Sequence, residues 1–391
     1  MMDEAMAWAV IGWAGLVYWG ITVWPLAESM RHPRFVGEVC GSEDLGREGA
    51  PRVSVIVPAR DEGEVIRRCL DSLLAQEYLN LEIIAVDDRS GDETGGVMDE
   101  LAVRDGRLKA VHVKELPAGW LGKNHANQVG AGAATGEYLL FTDGDVLFEP
   151  DAIRKAVQHV RVEGLDHLCL FPGLICHGYF EKAAVCFFGG LFFAALRLQH
   201  VRNPLVAKAF CGIGAFNLVR AGAYRAVGGH EPLRLEVADD IKLGKLLKMN
   251  GFVPDVLAGW PEVSVRWQKG WWGVVTGLEK NGFAGSDYRL MKVTASVLAV
   301  VLLAVAPFVG IVLAPGWSWV PYGLLLLSQV SVLGRLARHH GYSRWVGLAF
   351  PVAALTLALA VGRSVVLVLA RGGVRWRGTF YSLKELRGGI V

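Results

Sequence analysis

Several familiar signatures are missing from this sequence. Only 20% of its 391 residues are charged, and 40 Lys and Arg nearly balance 38 Asp and Glu. A net charge of +2 offers nothing to a nucleic-acid groove, so no nucleic-acid partner is expected. The six cysteines (Cys40, Cys69, Cys169, Cys176, Cys186, Cys211) show no Cys-x-x-Cys spacing and read as reduced, mostly core-filling thiols. No glycine-rich turn follows the first strand-like run: Val53–Val57 leads into Pro58-Ala59-Arg60-Asp61-Glu62, which excludes a dinucleotide-binding turn. Gly122-Lys123 has Pro117 where a P-loop needs its first glycine and Asn124 where it needs Ser or Thr.

Apolar residues are abundant instead, at 52% with a mean hydropathy of +0.34. They concentrate in Ala5–Leu26, Val293–Leu313, Trp319–Leu333 and Val346–Leu369, the last interrupted by Arg363. About twenty apolar residues span a bilayer core, so three of these runs read as membrane helices. Trp319–Leu333 is short for a span and reads as re-entrant or as half of a hairpin. Asp3 and Glu4 precede the first run where a secretory signal needs a basic start, so it reads as a retained anchor. Arg31, His32 and Arg34 after it place the following domain in the cytoplasm. Arg335, Arg338, Arg344, Arg371, Arg375 and Arg377 flank apolar runs, as suits anionic lipid headgroups. Three crossings after a cytoplasmic domain would leave the basic tail outside, so one run is expected to be re-entrant or to cross twice. The expected division is an anchor over 1–30, a soluble domain over 51–289, membrane or re-entrant helices over 290–370 and a cytoplasmic tail over 371–391. The expected location is multi-pass in a cell (inner) membrane.

Between the apolar runs the pattern alternates. Val53–Val57, Leu81–Val86, Leu108–Val113 and Tyr138–Phe141 read as strands. Glu64–Gln76 and Pro150–Val162 read as helices, with Asp151 near the start of the second. Strand, helix, strand in this order predicts an α/β domain with a mostly parallel, Rossmann-like sheet. Ligands of such sheets bind beyond the carboxyl ends of the strands.

Three acidic pairs stand where that rule looks. Asp143-Gly144-Asp145 follows Tyr138–Phe141, and the spacing suits either a turn or a Mg²⁺ or Mn²⁺ site bridging to a diphosphate. Asp87-Asp88 closes Leu81–Val86 and can accept hydrogen bonds from a base or a ribose, or cap a helix. Asp239-Asp240 opens the amphipathic stretch Ile241–Met249, where acids favour a helix start and where a general base can also sit.

The ordered set Pro-Ala-Arg-Asp-Glu (58–62), Val-Asp-Asp-Arg-Ser (86–90), Gly-Trp-Leu-Gly-Lys-Asn-His-Ala (119–126), Thr-Asp-Gly-Asp (142–145) and Ala-Asp-Asp (238–240) resembles the family 2 glycosyltransferases of GT-A fold. The resemblance covers about Arg52 to Gly285 and is nearest to the membrane-anchored hopanoid-associated and carotenoid-type enzymes, with ceramide-type ones next. It implies an inverting, metal-dependent hexosyltransferase that uses a UDP-sugar and glycosylates a lipid. Carried over, Pro58, Ala59, Arg60 and Glu62 would surround the nucleotide, with Asp87 or Asp88 on the uracil. Lys123 would approach the uridine or phosphates, Asp143 the ribose, and Asp145 would ligate the metal. Asp240 would be the catalytic base, and Asp239, Arg266 and Trp267 would face the acceptor or diphosphate.

Val263 stands where processive and ceramide-type members carry a Gln or Arg three residues before Arg266-Trp267, which weakens a polysaccharide-synthase reading. Trp267, Trp271 and Trp272 equally suit interfacial anchoring. Cys211–Asn217 reads either as a close approach to the acceptor or as a strand bulge. Ala183–Leu198 reads as an interfacial helix lining the route of a lipid acceptor, or as a buried core helix. A non-catalytic nucleotide-binding scaffold and a transporter are the other readings of the whole chain.

Overall fold

The computed structural model describes residues 2–29, 34–39 and 49–391. Arg31, His32 and Cys40 lie outside the described residues. The chain divides into two compact units. One, the α/β unit, comprises residues 33–175, 198–266 and 377–391; the other, the apolar unit, comprises 1–32, 176–197 and 267–376.

In the α/β unit the strands are β1 (Val53–Ala59), β2 (Leu81–Asp88), β3 (Leu108–Val113), β4 (Tyr138–Phe141), β5 (Val146–Phe148), β6 (His167–Phe171), β7 (Gly173–Leu174), β8 (Asn217–Arg220), β9 (Pro254–Ala258) and β10 (Val263–Val265). Seven of them form one sheet in the order β3-β2-β1-β4-β8-β6-β9. Neighbours are parallel from β3 to β4 and again between β6 and β9, and β8 is antiparallel to both β4 and β6. Every residue of β1 and β2 is buried, which accounts for their mostly apolar sequences. β5, β10 and β7 form a second, three-stranded sheet.

The predicted helices form close to their expected bounds. Gly63–Leu74 buries Ile66, Cys69, Leu70 and Leu73, an i, i+3, i+4, i+7 stripe. Ala152–Val162 starts after Asp151, whose carboxylate pairs with Lys155 one turn on at 2.8 Å instead of capping. Cys69, Cys169, Cys176, Cys186 and Cys211 are buried thiols, none of them in a disulfide among the described residues.

The α/β unit also contains a buried charge network. Asp255, fully buried in β9, meets Arg34 at 2.5 Å, His159 Nε2 at 2.8 Å, and Arg202. Burial alone would raise the pKa of this carboxyl, but the hydrogen bonds from His159, Arg202 and Arg34 hold it well below the usual range. Arg34, one of the basic residues after the first apolar run, is therefore also a partner of the sheet.

Among the described residues five helices, lying almost wholly in the apolar unit, are long and apolar enough to cross a membrane: Asp3–Glu28, Tyr179–His200, Leu290–Leu313, Gly316–His339 and Arg344–Arg371. Two expectations change here. The run Trp319–Leu333 lies within the full-length helix Gly316–His339, and the segment around Ala183–Leu198 reaches spanning length within Tyr179–His200. Both flanks of that segment nevertheless return to one sheet, because β6 before it pairs with β8 after it. Large apolar side chains such as Ile21, Val312, Leu327 and Val366 are exposed along these helices, as a lipid-facing surface requires. Arg363, the charge inside the last run, pairs with Glu279 at 3.1 Å, and Arg371 meets the same carboxylate at 2.6 Å.

The Asp255 network gives a stability prediction. Asp255→Ala removes the buried anion shared by Arg34, His159 and Arg202, of which Arg202 keeps Glu163 at 2.7 Å, and should destabilise the fold by about 3 kcal/mol. A thermal melt of the detergent-purified protein checks this, and an unchanged Tm would show the network to be dispensable.

Candidate active site

The sheet order sets the location of the site. From β1 the chain moves outward to β2 and β3, then returns so that β4 lies on the other side of β1. The crevice beyond the carboxyl ends of β1 and β4 is thus a topological switch point. Asp61 and Glu62 follow β1, and Asp143 and Asp145 follow β4, so the carboxylates converge there because of topology. Glu62 Oε2 packs against Gly144, where a Cβ would come within 2.5 Å of it. This glycine lets the acid pair after β4 pass the loop after β1.

Lys123, in the first turn of the helix Gly122–Ala133, supplies the positive charge. Its Nζ lies 2.5 Å from Asp143 Oδ1 and 4.0 Å from Asp239 Oδ1. Burial would lower the pKa of this amine, but the carboxylates of Asp143, Asp239 and Asp240 outweigh it and hold it above the usual lysine range. Asp239 is buried, accepts from Asn127 Nδ2 at 3.3 Å and lies 3.8 Å from His230 Nε2. Asp240 is more open: its Oδ2 accepts from the Gly214 amide at 2.7 Å and its Oδ1 from the Ile241 amide at 2.8 Å. Desolvation first, then the neighbouring Asp239 carboxylate, pushes the Asp240 carboxyl up to about 6.

The segment Cys211–Asn217 runs between the two acid clusters. The Gly214 carbonyl accepts from the Asp143 amide at 3.0 Å while the Gly214 amide serves Asp240. A Cβ at Gly214 would meet Asp143 Oδ2 at 2.6 Å and Asp240 Oδ2 at 3.3 Å, so a larger residue here would displace the Asp143 carboxylate.

Asp87 and Asp88 close β2 but are differently engaged. Asp87 accepts from the Ser90 amide at 3.0 Å and meets His112 Nδ1 at 3.1 Å, which fixes the turn. Asp88 is chelated by its neighbour Arg89 through Nε at 2.8 Å and Nη2 at 3.1 Å, leaving lone pairs for an incoming donor. Pro58 and Ala59 are buried at the end of β1, and Arg60 turns its carbonyl to Arg377 at 2.5 Å. Arg266 is exposed beyond β10, and Trp267, in the apolar unit, stacks on Phe188 at 4.9 Å and 15°. Asn127, His230 and Arg377 escaped the sequence reading. His230 had no motif around it, Asn127 lies one residue past the 119–126 motif, and Arg377 was expected at lipid headgroups.

Glu62, Asp143 and Asp145 form a repelling set. Burial, then the charges of Asp145 and Asp143 working against the Arg377 guanidinium, pushes Glu62 up to about 7. Burial and Asp143 push Asp145 up to about 6. Glu62 Oε2 is buried without a hydrogen-bond partner among the described residues. Such a set fits a hard divalent cation. No three His, Cys, Asp or Glu side chains close a cage among the described residues, as suits an ion held by one or two carboxylates and completed by phosphates.

This sheet, with an acid pair after β4 at the switch point, is the GT-A fold. Residues 54–227 match the family model Glycosyl transferase family 2, and the chain carries a family 2 glycosyltransferase domain there. Glycosyltransferase GlyG of Streptococcus pneumoniae is 32% identical over 114 residues, which are 29% of this chain and 36% of that protein. The GalNAc(5)-diNAcBac-PP-undecaprenol beta-1,3-glucosyltransferase of Campylobacter jejuni is 32% identical over 121 residues, 30% of this chain and 37% of that protein. The chain thus spans a little over a third of these relatives' length. The mannosyltransferase PcManGT from Pyrobaculum calidifontis, solved with GDP-Man and Mn²⁺, shares the fold with a TM-score of 0.53 at 17% identity, over 94% of this chain and 97% of that one.

The repelling carboxylates predict a cation response. Mn²⁺ at about 100 times its Kd should stabilise the chain by about 2.7 kcal/mol, read as a rise in Tm. Asp145→Ala should abolish the rise, and a variant that kept it in full would remove Asp145 from the cation site.

Proposed function

We propose that this chain transfers a sugar from a nucleotide sugar, a UDP-sugar, to a lipid acceptor at a membrane face, with inversion at the anomeric carbon. The observation that carries the reading is the Lys123 ammonium set among Asp143, Asp239 and Asp240 at the switch point of the sheet. A lysine so placed orders the acids into distinct roles. Asp143 and the buried Asp239 neutralise the lysine. Asp240, more open and oriented by the Gly214 amide, remains available to an acceptor.

In the transfer, the Asp240 carboxylate takes the proton of the acceptor hydroxyl as its oxygen attacks the anomeric carbon. The bond from that carbon to the diphosphate oxygen breaks, and the nucleoside diphosphate leaves with the electron pair. Asp145, with Glu62 beside it, would hold Mg²⁺ or Mn²⁺, which would supply Lewis-acid stabilisation to the leaving diphosphate. Asp88 meets the base or ribose, and the Pro58–Glu62 loop lines the nucleotide. Binding of GDP-Man and Mn²⁺ by a protein of the same fold supports the donor and metal classes.

The lipid acceptor rests on two observations. The apolar helices expose large side chains, and a relative of this domain acts, by its name, on a diphosphate-linked undecaprenol. The polysaccharide-synthase alternative loses ground at Val263, which is buried and paired with Phe148 in the small sheet. The proposed location is a membrane, with the α/β unit and the 377–391 tail on its cytoplasmic side.

Purified protein in lipid, given a panel of UDP-sugars, divalent metal and extracted membrane lipids, should release UDP and yield a glycolipid by mass spectrometry. Asp240→Asn should lower kcat by about 10²–10⁴ with little change in donor KM. A near-normal rate in that variant would remove Asp240 as the base. The base must be ionised and its carboxyl titrates near 6, so kcat/KM should fall about tenfold per pH unit below that value. A flat profile down to pH 4.5 would contradict the assignment.

A further inference from the structure

The chain segment after the last apolar helix, residues 377–391, belongs to the α/β unit. It touches three parts of the site. Arg377 donates to Glu62 Oε1 and, at 2.5 Å, to the Arg60 carbonyl, both in the loop after β1. Tyr381 hydrogen-bonds the Gly122 backbone, where the Lys123 helix begins. The Val391 carbonyl accepts from Lys242 and Lys245 at 2.8 Å each, on the helix that Asp239 and Asp240 open. The segment is therefore a strap across the site rather than a headgroup-bound tail.

Arg377 is its most telling residue. It has φ +47° and is followed by Gly378 at φ +78°, a left-handed pair that favours Asn, Asp or Gly. Placing arginine there costs on the order of 1 kcal/mol, and the conformation delivers its guanidinium to the acid cluster. That guanidinium offsets the charge of Glu62 and Asp145, while Lys123 is spent on Asp143 and Asp239. Its side chain is 41% exposed, so it has room to move.

We propose that Arg377 is a donor-positioning residue: it holds the place of the divalent cation at Glu62 in the free protein and passes to the diphosphate when cation and donor arrive. The proposal rests on the donor-site reading above. A divalent cation entering beside Asp145 supersedes the guanidinium as counter-charge to Glu62. The freed fork of N–H groups then matches diphosphate oxygens in a bidentate way that a lysine cannot. The strap keeps this arginine beside the site throughout.

The two halves of the exchange give effects of opposite sign, which a merely structural role does not. Binding of Mn²⁺ alone, read by electron paramagnetic resonance, should tighten about two- to fivefold in Arg377→Ala, the size of a half-exposed ion pair removed. Binding of UDP with Mn²⁺, read by calorimetry, should weaken about tenfold or more, the size of a charge-assisted hydrogen bond lost. Arg377→Lys should restore the wild-type response to Mn²⁺ but not the affinity for UDP. Both variants should keep the wild-type Tm without ligand. Unchanged UDP affinity in Arg377→Ala overturns the proposal, as does a parallel loss of Mn²⁺ and UDP binding. If the wild-type chain itself binds neither UDP nor GDP in the presence of Mn²⁺, the donor-site reading fails instead.

Discussion

The site depends on one buried balance of charge, the Lys123 ammonium against Asp143, Asp239 and Asp240. The three carboxylates come from two separate places in the chain, and without a cation they would repel each other in a partly dry crevice. The lysine sits in the first turn of its helix, so the helix dipole adds to its positive charge. That turn is held by packing: Asn124, the next residue, donates to the carbonyls of Leu233 and Glu236 at 2.5 and 2.9 Å. The lysine is thereby fixed to the loop that leads into Asp239. Geometry and charge are set by the same few residues.

Much of this was legible in the sequence because it is local. The runs at 108–113 and 138–141 form strands over those same residues, and the acid pairs at 87–88 and 143–145 follow strand ends because short polar clusters after β-branched runs have nowhere else to go. What sequence did not yield is long-range. Arg377 and Glu62 are 315 positions apart, and a basic tail beyond an apolar helix looks the same whether its partner is a lipid phosphate or a carboxylate. The ion pair of Arg34 was hidden for the same reason, since its partner Asp255 lies 221 residues away. The helix Tyr179–Leu196 was underestimated because Gly189 and Gly190 interrupt its apolar run. Gly190 marks close packing rather than a break: a Cβ there would meet Leu336 at 2.6 Å within the apolar unit.

The return of the chain to one unit constrains any membrane topology. Tyr179–Leu196 lies between β6 and β8, which pair directly, so that helix cannot carry the chain to the other side. Leu290–Leu313, Gly316–His339 and Arg344–Arg371 lie between Arg266 and Arg377, which belong to the same unit. For a chain lying in a bilayer, only an even number of complete crossings by these three helices is consistent with that.

The same connectivity orders assembly. β1 to β4 come from the continuous stretch 53–141, with short crossovers and local contacts. β8, β6 and β9 are drawn from either side of an apolar helix, so their half of the sheet is complete only once that helix is placed. Lys123 and Asp143 belong to the first half, and Asp239 and Asp240 follow β8 in the second. The charge cluster therefore closes only when both halves meet, and the strap from Arg377 to Val391 docks on residues of each.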